Sequence, residues 1–208
     1  MPKTAVELYR QYYPDAQYER RGLFALLAEQ YQIEAALYPG SFVHITPSFC
    51  YPITVYVDTD QRARTFFADP QIHELIASHK TYPQEPVIRF HAASYSERFA
   101  EDDANADLLI SQYAGFVSQP CKRYLKIGGL LLANNSHGDA GLAAIDPAYR
   151  LIGVIQQRNG KYQLSAHELE TYFIPKTSAP ITREYLESRQ KGIGYTKTAS
   201  VYLFQRVM

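Results

Sequence analysis

The sequence predicts a doubly wound α/β protein built on a mostly parallel sheet. Two observations carry the sheet: short runs such as residues 53–57 and 107–111 are apolar or β-branched nearly throughout, and helix-like segments alternate with them. Strands covered on both faces lose the in-out alternation of a half-exposed strand, which is why such runs point to a parallel sheet. A third observation concerns the ligand class. The first run ends in the turn Pro39-Gly40, and the second ends in Asp58. A glycine turn lets backbone approach a ligand, and an acidic residue after the next strand is placed for ribose hydroxyls, the skeleton of a nucleotide-binding βαβ unit.

The elements follow in order. Residues 6–13 read as a short helix stopped near Pro14-Asp15. Residues 19–31 place Leu23, Leu26, Leu27 and Gln30 at helical spacing, giving one apolar face. Residues 35–38 are the first strand and residues 53–57 the second. Only residues 41–52 lie between them, and Pro47 interrupts that stretch. A whole crossover connection takes at least about 10–12 residues, so a short helix or an irregular turn is expected here. Asp60 suits the N-cap of a helix over 61–80, whose core face is Ala63, Phe66, Phe67, Ile72, Leu75 and Ile76.

Residues 87–91 form the third strand and 107–111 the fourth, with a helix expected over 116–125. A helix stop at Gly128-Gly129 then leads into a fifth strand over 130–134. Asp139 starts a helix to residue 145, and 150–156 is the sixth strand. Asn159-Gly160 marks a tight hairpin, because that pair accepts positive φ at both positions. A polar insertion over about 165–198 holds a helix over 182–190, and 200–206 ends the chain as an exposed-edge or antiparallel strand. There is no internal repeat. Residues 1–18 are read as an N-terminal helical extension and 19–208 as one domain containing the insertion.

Composition narrows the function classes. Of 208 residues, 46% are hydrophobic and 20% charged, ordinary values for a globular protein. Lys plus Arg (21) balances Asp plus Glu (21), so no net field would draw nucleic acid or an anionic membrane, and neither partner is expected. A small-molecule or protein substrate is expected instead, and a homodimer is compatible with the composition. Cys50 and Cys121 make neither a disulfide framework nor a four-ligand metal site, and the six histidines show no metal-ligand spacing, so no metal is expected. Residues 1–15 carry no apolar core of signal-peptide length, and apolar runs such as 23–28 fall far short of the roughly 20 residues that span a bilayer. A cytoplasmic protein is expected. Tyrosine is abundant, at 18 residues with no tryptophan; such rings serve packing or line a ligand cleft.

Four places carry candidate chemistry. Gly40-Ser41 is either a ligand-approaching loop or a turn that only reverses the chain. Asp58 is read as facing a ligand and Asp60 as a helix cap. Gln112 and Tyr113, after the fourth strand, are placed to orient a substrate or are a strand-to-helix turn. Asn134-Asn135-Ser136-His137-Gly138-Asp139 follows the fifth strand at the same end of the sheet. There the amides of Asn134 and Asn135 suit a polar substrate and His137 suits proton acceptance; the alternative is a turn rich in capping residues. Arg183, Arg189, Lys191 and Gly192-Ile193-Gly194-Tyr195 belong to the insertion, as an anion-binding cover or a solvated helix and loop.

The order of these patterns resembles the class I S-adenosylmethionine-dependent methyltransferases, the Rossmann-like superfamily, over residues 19–208. The residues that carry the resemblance are Ala36-Leu37-Tyr38-Pro39-Gly40-Ser41, Val55-Tyr56-Val57-Asp58, Ala106-Asp107-Leu108-Leu109-Ile110-Ser111, Tyr124-Leu125-Lys126-Ile127-Gly128-Gly129, and the closing Val201-Tyr202-Leu203-Phe204. The resemblance implies S-adenosylmethionine as cofactor, held by Tyr38, Gly40, Ser41, Asp58, Ser94 and Gln112. It implies His137 and Tyr113 as catalytic residues, Asn134 and Asn135 at the substrate, and an antiparallel last strand. Where the family has three close glycines this chain has Gly40 alone, and Ser94 stands near the family's adenine-binding Asp. A non-catalytic relative of the fold, serving as a scaffold without cofactor, is the alternative. An NAD-dependent oxidoreductase is a weaker one, because Gly-x-Gly-x-x-Gly is missing.

Overall fold

β-branched and aromatic residues over Ile53–Val57 favour extended backbone, and the strand they form (β2) runs parallel to β1 (Ala35–Pro39) on one side and β3 (Val87–His91) on the other. Leu37 pairs with Val55, and Val55 with Arg89. All five residues of β1 are buried, as expected of a strand covered on both faces. The computed structural model describes residues 3–178 and 181–208, and groups the chain into two compact units, Met1–Ala100 and Glu101–Met208. Residues 1, 2, 179 and 180, within the expected extension and insertion, lie outside the described residues.

In the first unit, α1 (Ala5–Tyr12) starts with a reciprocal capping box between Thr4 and Glu7, and α2 (Arg21–Gln30) buries Leu23, Phe24 and Leu27. The connection from β1 to β2 is a single 3₁₀ turn, Thr46–Phe49, with Pro47 near its start. The irregular crossover expected from Pro47 is therefore present. The expected helix over 61–80 is two helices, α3 (Gln61–Phe67) and α4 (Pro70–His79). Pro70 cannot continue a helix but is well suited to its first turn, and the Asp69 carboxylate accepts the Gln71 N–H as a new cap. Asp60 caps α3 as expected, accepting the Arg62 N–H at 2.7 Å.

In the second unit the strand order is β4-β5-β8-β6-β7. β4 (Ala106–Ser111) and β5 (Leu125–Ala133) are parallel. β8 (Val201–Arg206) lies between β5 and β6 (Tyr149–Arg158) and is antiparallel to both, so it is a central strand with no exposed edge. β6 and β7 (Lys161–Ser165) form the expected hairpin, with Asn159 at φ 50° and Gly160 at φ 75°.

Two expectations fail here. Residues 116–125 are not a helix but a loop ending in the 3₁₀ turn Lys122–Tyr124. Pro120 disfavours helical geometry before it, and the Ser118 N–H is taken by Asp139. β5 begins at Leu125 rather than at residue 130, because Gly128 (φ 85°) bends the strand without ending it, and the register against β4 shifts. The remaining helices are α5 (Asp139–Ala144) and α6 (Arg183–Arg189), the latter capped by Thr182.

Candidate functional site

Two backbone hydrogen bonds set the geometry at the C-terminal ends of the first unit's strands. The Gly40 N–H donates to the Val57 carbonyl at 2.7 Å, and the Asp58 N–H donates to the His91 carbonyl at 3.1 Å, so the parallel ladder continues one step past the strands. The chain then turns at Gly40, whose φ of 65° lies in the left-handed region that glycine enters without strain. Phe42 also holds φ 49°, which a side-chain-bearing residue adopts only when its surroundings require it. The requirement is visible: the Phe42 N–H donates to Asp58 Oδ2 at 2.7 Å. The other oxygen, Oδ1, accepts the Asp60 N–H at 2.9 Å. Gly40, Ser41 and Asp58 are thus brought together, as the sequence spacing implies.

Asp58 is half-buried, and each oxygen accepts from a backbone N–H. A carboxylate has about four lone-pair sites, so acceptor capacity remains for a pair of hydroxyls. Ser41 is buried, with its hydroxyl turned to the Phe42 carbonyl. Tyr38 is placed elsewhere from the expected role: it is 4% exposed, and its hydroxyl bonds His44 Nδ1 at 3.1 Å within the core. Ser94 is half-buried after β3 and accepts the Ser96 N–H in a local turn.

Sequence reasoning missed His44. Its Nε2 lies 2.9 Å from the Glu19 carbonyl, which can only accept, so Nε2 carries the proton and Nδ1 accepts from Tyr38. Tyr13 stacks on the ring at 4.2 Å between centroids. Full burial holds the imidazole neutral, with its pKa lowered to about 3. No local signal marks this role, because Glu19 and Tyr13 are distant in sequence and Tyr38 reaches the ring only across the turn after β1.

The second unit holds Gln112, Tyr113, Asn134, Asn135 and His137. Gln112 is buried at the end of β4, while Tyr113 is 59% exposed at φ 60°. The Asn134 N–H donates to the Ser111 carbonyl, extending the β4–β5 pairing, and Asn134 Oδ1 accepts from the Ser136 N–H and hydroxyl. Its Nδ2 has no hydrogen-bond partner among the described residues, although the residue is only 7% exposed. Asn135 holds the insertion down: Nδ2 donates to the Ile193 carbonyl at 3.4 Å and Oδ1 accepts the Gly141 N–H at 3.3 Å. His137 is half-buried beside them.

Asp139 was read only as a helix start, and the structure gives it more. Its carboxylate is buried and accepts the Ser111 hydroxyl at 2.5 Å, the Ser118 hydroxyl at 2.6 Å and the Ser118 N–H at 3.0 Å. Burial raises its pKa despite these donors. Asp139 thereby ties the loop after β4 to the start of α5. Tyr195, the last residue of the Gly-Ile-Gly-Tyr segment, is 1% exposed, and its hydroxyl has no partner among the described residues. Cys50 and Cys121 are buried and form no disulfide among the described residues, and burial pushes the Cys50 thiol up to about 11. Among the described residues no group of His, Cys, Asp or Glu is arranged to hold a metal ion, and no helix is long and apolar enough to cross a membrane.

No protein-family model and no curated protein matches this sequence. Solved structures do. A methyltransferase from Geobacter sulfurreducens aligns with a TM-score of 0.51 at 15% identity, over 79% of this chain and 89% of that one. A protein from Corynebacterium glutamicum aligns over 100% of this chain and 91% of its own, with a TM-score of 0.52 at 9% identity.

The chain has the class I methyltransferase fold.

In that fold, the doubly wound α/β class read from the sequence is the class observed, including the antiparallel last strand. Identities this low establish the architecture. The chemistry rests on the residues themselves.

Proposed function

We propose that this protein is an S-adenosylmethionine-dependent methyltransferase in which Asp58 accepts the ribose hydroxyls and the backbone at Gly40–Phe42 lies against the cofactor. The observation that carries the reading is the 2.7 Å bond from the Phe42 N–H to Asp58 Oδ2. It places a half-buried carboxylate with spare acceptor sites directly beside a left-handed glycine turn, at the strand ends where open α/β sheets take their ligands. When bound, the cofactor supplies a methyl group already activated on a sulfonium. The chain's work is then to bind, align and exclude water, so proximity carries most of the rate and no strong catalytic constellation is needed. Ser94 and Gln112 are the further cofactor candidates. Asn134 and Asn135 are proposed at the substrate, with Tyr113 orienting it and His137 accepting a proton from its nucleophile. The substrate is a small molecule or a protein, and the chain works in the cytoplasm.

A second reading, a scaffold of this fold without cofactor, is favoured by the burial of Tyr38 and Ser41 and by the backbone donors on both Asp58 oxygens. Calorimetric titration with S-adenosylmethionine and S-adenosylhomocysteine separates the two. Micromolar binding that falls at least about tenfold in Asp58→Asn is expected, since a charge-assisted hydrogen bond is about twice as strong as a neutral one. No heat with either ligand, in wild type or in the latch variants described below, would establish the scaffold.

A further inference from the structure

The loop that bears Phe42 is held from outside as well as by Asp58. The Phe42 ring meets the Tyr12 ring edge-on at 5.0 Å, and the Arg62 guanidinium lies 4.7 Å from the centre of the same ring. Arg62 is itself fixed by a bidentate pair with Asp60, Nε donating to Oδ1 at 3.1 Å and Nη2 to Oδ2 at 2.7 Å. Next to Tyr12, the Tyr13 hydroxyl donates to the Ser41 carbonyl at 3.3 Å. The C-terminal end of α1 therefore rests on the turn that follows β1.

The rest of α1 is held at one point: the Tyr9 hydroxyl donates to Glu19 Oε1 at 3.0 Å and lies 3.1 Å from Thr46 Oγ1. The helix is eight residues long, and Tyr9 is its one buried residue. An isolated helix of that length is unstable in water, so its order depends on the few contacts it makes. Between α1 and α3 lies an open groove of about 470 Å³, lined by Thr4, Ala5, Leu8, Arg62, Thr65 and Phe66. Space on that side leaves the face of α1 toward α3 uncovered. Few buried contacts are the physical mark of an element that opens at low cost.

We infer that Tyr12, Phe42 and Arg62 form a latch that holds the turn after β1 closed on Asp58, and that opening it clears the Oδ2 site that a nucleoside ligand takes. The inference rests on the cofactor reading above. In the closed state the Phe42 N–H occupies one site on Asp58 Oδ2, and it does so at a positive φ. A ribose hydroxyl taking over that oxygen lets Phe42 relax toward ordinary φ, which draws its ring away from Tyr12 and Arg62 and loosens the C-terminal turn of α1. Ligand binding and seating of the last turn of α1 then oppose each other, and by linkage each weakens the other by the same factor.

The test is calorimetry of S-adenosylhomocysteine against wild type, Tyr12→Ala and Arg62→Gln, with amide hydrogen exchange over residues 5–13. Tyr12 and Arg62 are both solvent-exposed, so the variants are expected to fold, and circular dichroism checks this. Weakening the latch raises the competent fraction, so the apparent dissociation constant should fall about tenfold in each variant. In wild type, ligand should speed exchange across α1. Binding to the variants alone also supports the latch, as a latch too tight for the wild type to open. Equal or weaker binding by the variants, or α1 slowed by ligand, overturns the latch while leaving the cofactor reading intact. Absence of binding in all three proteins overturns both.

Discussion

The two units finish their strands in opposite ways. At the ends of β1 and β2, the polar groups are matched within the first unit: Asp58 has backbone donors on both oxygens, and buried His44 has a partner on each nitrogen. At the ends of β4 and β5, matching is incomplete. Asp139 is fully engaged, yet Asn134 Nδ2 and the Tyr195 hydroxyl are buried without partners among the described residues. An unmet buried donor costs about 1–3 kcal/mol, a cost found where a structure answers to something besides its own stability. The first edge is closed by its own backbone donors, whereas the second keeps donors unmet among the described residues.

The largest effect expected from testing this contrast lies at the insertion. A Cβ at Gly192 would sit 1.8 Å from the Asn135 carbonyl oxygen, so Gly192→Ala must push the insertion off the loop after β5. A loss of about 3 kcal/mol is expected in urea unfolding, at the upper end for overpacking. Hydrogen exchange should also speed at residues 134–141, where Asn135 holds Ile193 and Gly141. Unchanged stability would mean that the insertion does not depend on this contact.

Acidity separates the units next. His44 has a folded pKa of about 3, below the ordinary 6.5, so the unfolded chain binds its proton first. Its contribution is whole above pH 6.5 and is lost as pH falls toward 3, at about 1.4 kcal/mol per pH unit. Asp139 is shifted the other way: burial raises its pKa, so the folded chain holds the proton more tightly. Its contribution is whole below the ordinary carboxylate value and is lost as pH rises through the raised one. Unfolding free energies from pH 4 to 7 should therefore flatten at the acid end in His44→Asn and steepen in Asp139→Asn. The same slope in both variants would break the comparison.

The smallest effect sharpens it. Tyr195→Phe removes a buried hydroxyl with no partner among the described residues and leaves the ring that packs against Phe173. Stability should hold or rise by up to about 1 kcal/mol. A loss beyond that would show the hydroxyl to be hydrogen-bonded in solution and the second edge to be as complete as the first.

Much of the fold was legible because it is written in local chemistry. The apolar runs gave the strands, Asp60 and Thr182 gave helix starts, and Asn159-Gly160 gave the hairpin turn. The break at Asp69-Pro70 was equally local, and an unbroken apolar periodicity hid it. The candidate site was legible only in outline. Gly40 and Asp58 stand at strand ends, and pairing alone brings them together. By contrast, the partners of Asp58, His44 and Asp139 come from Phe42, Tyr38 with Glu19, and Ser111 with Ser118.

Backbone preference and turn chemistry act over a few neighbouring residues, so order, type and approximate extent of the elements needed no fold to be inferred. Which donor meets which acceptor is decided by desolvation and packing among segments far apart in the chain. That is why residues 116–125 gave up a helix for Asp139, and why the carboxylate at the end of β2 faces a backbone N–H held in place by aromatic rings.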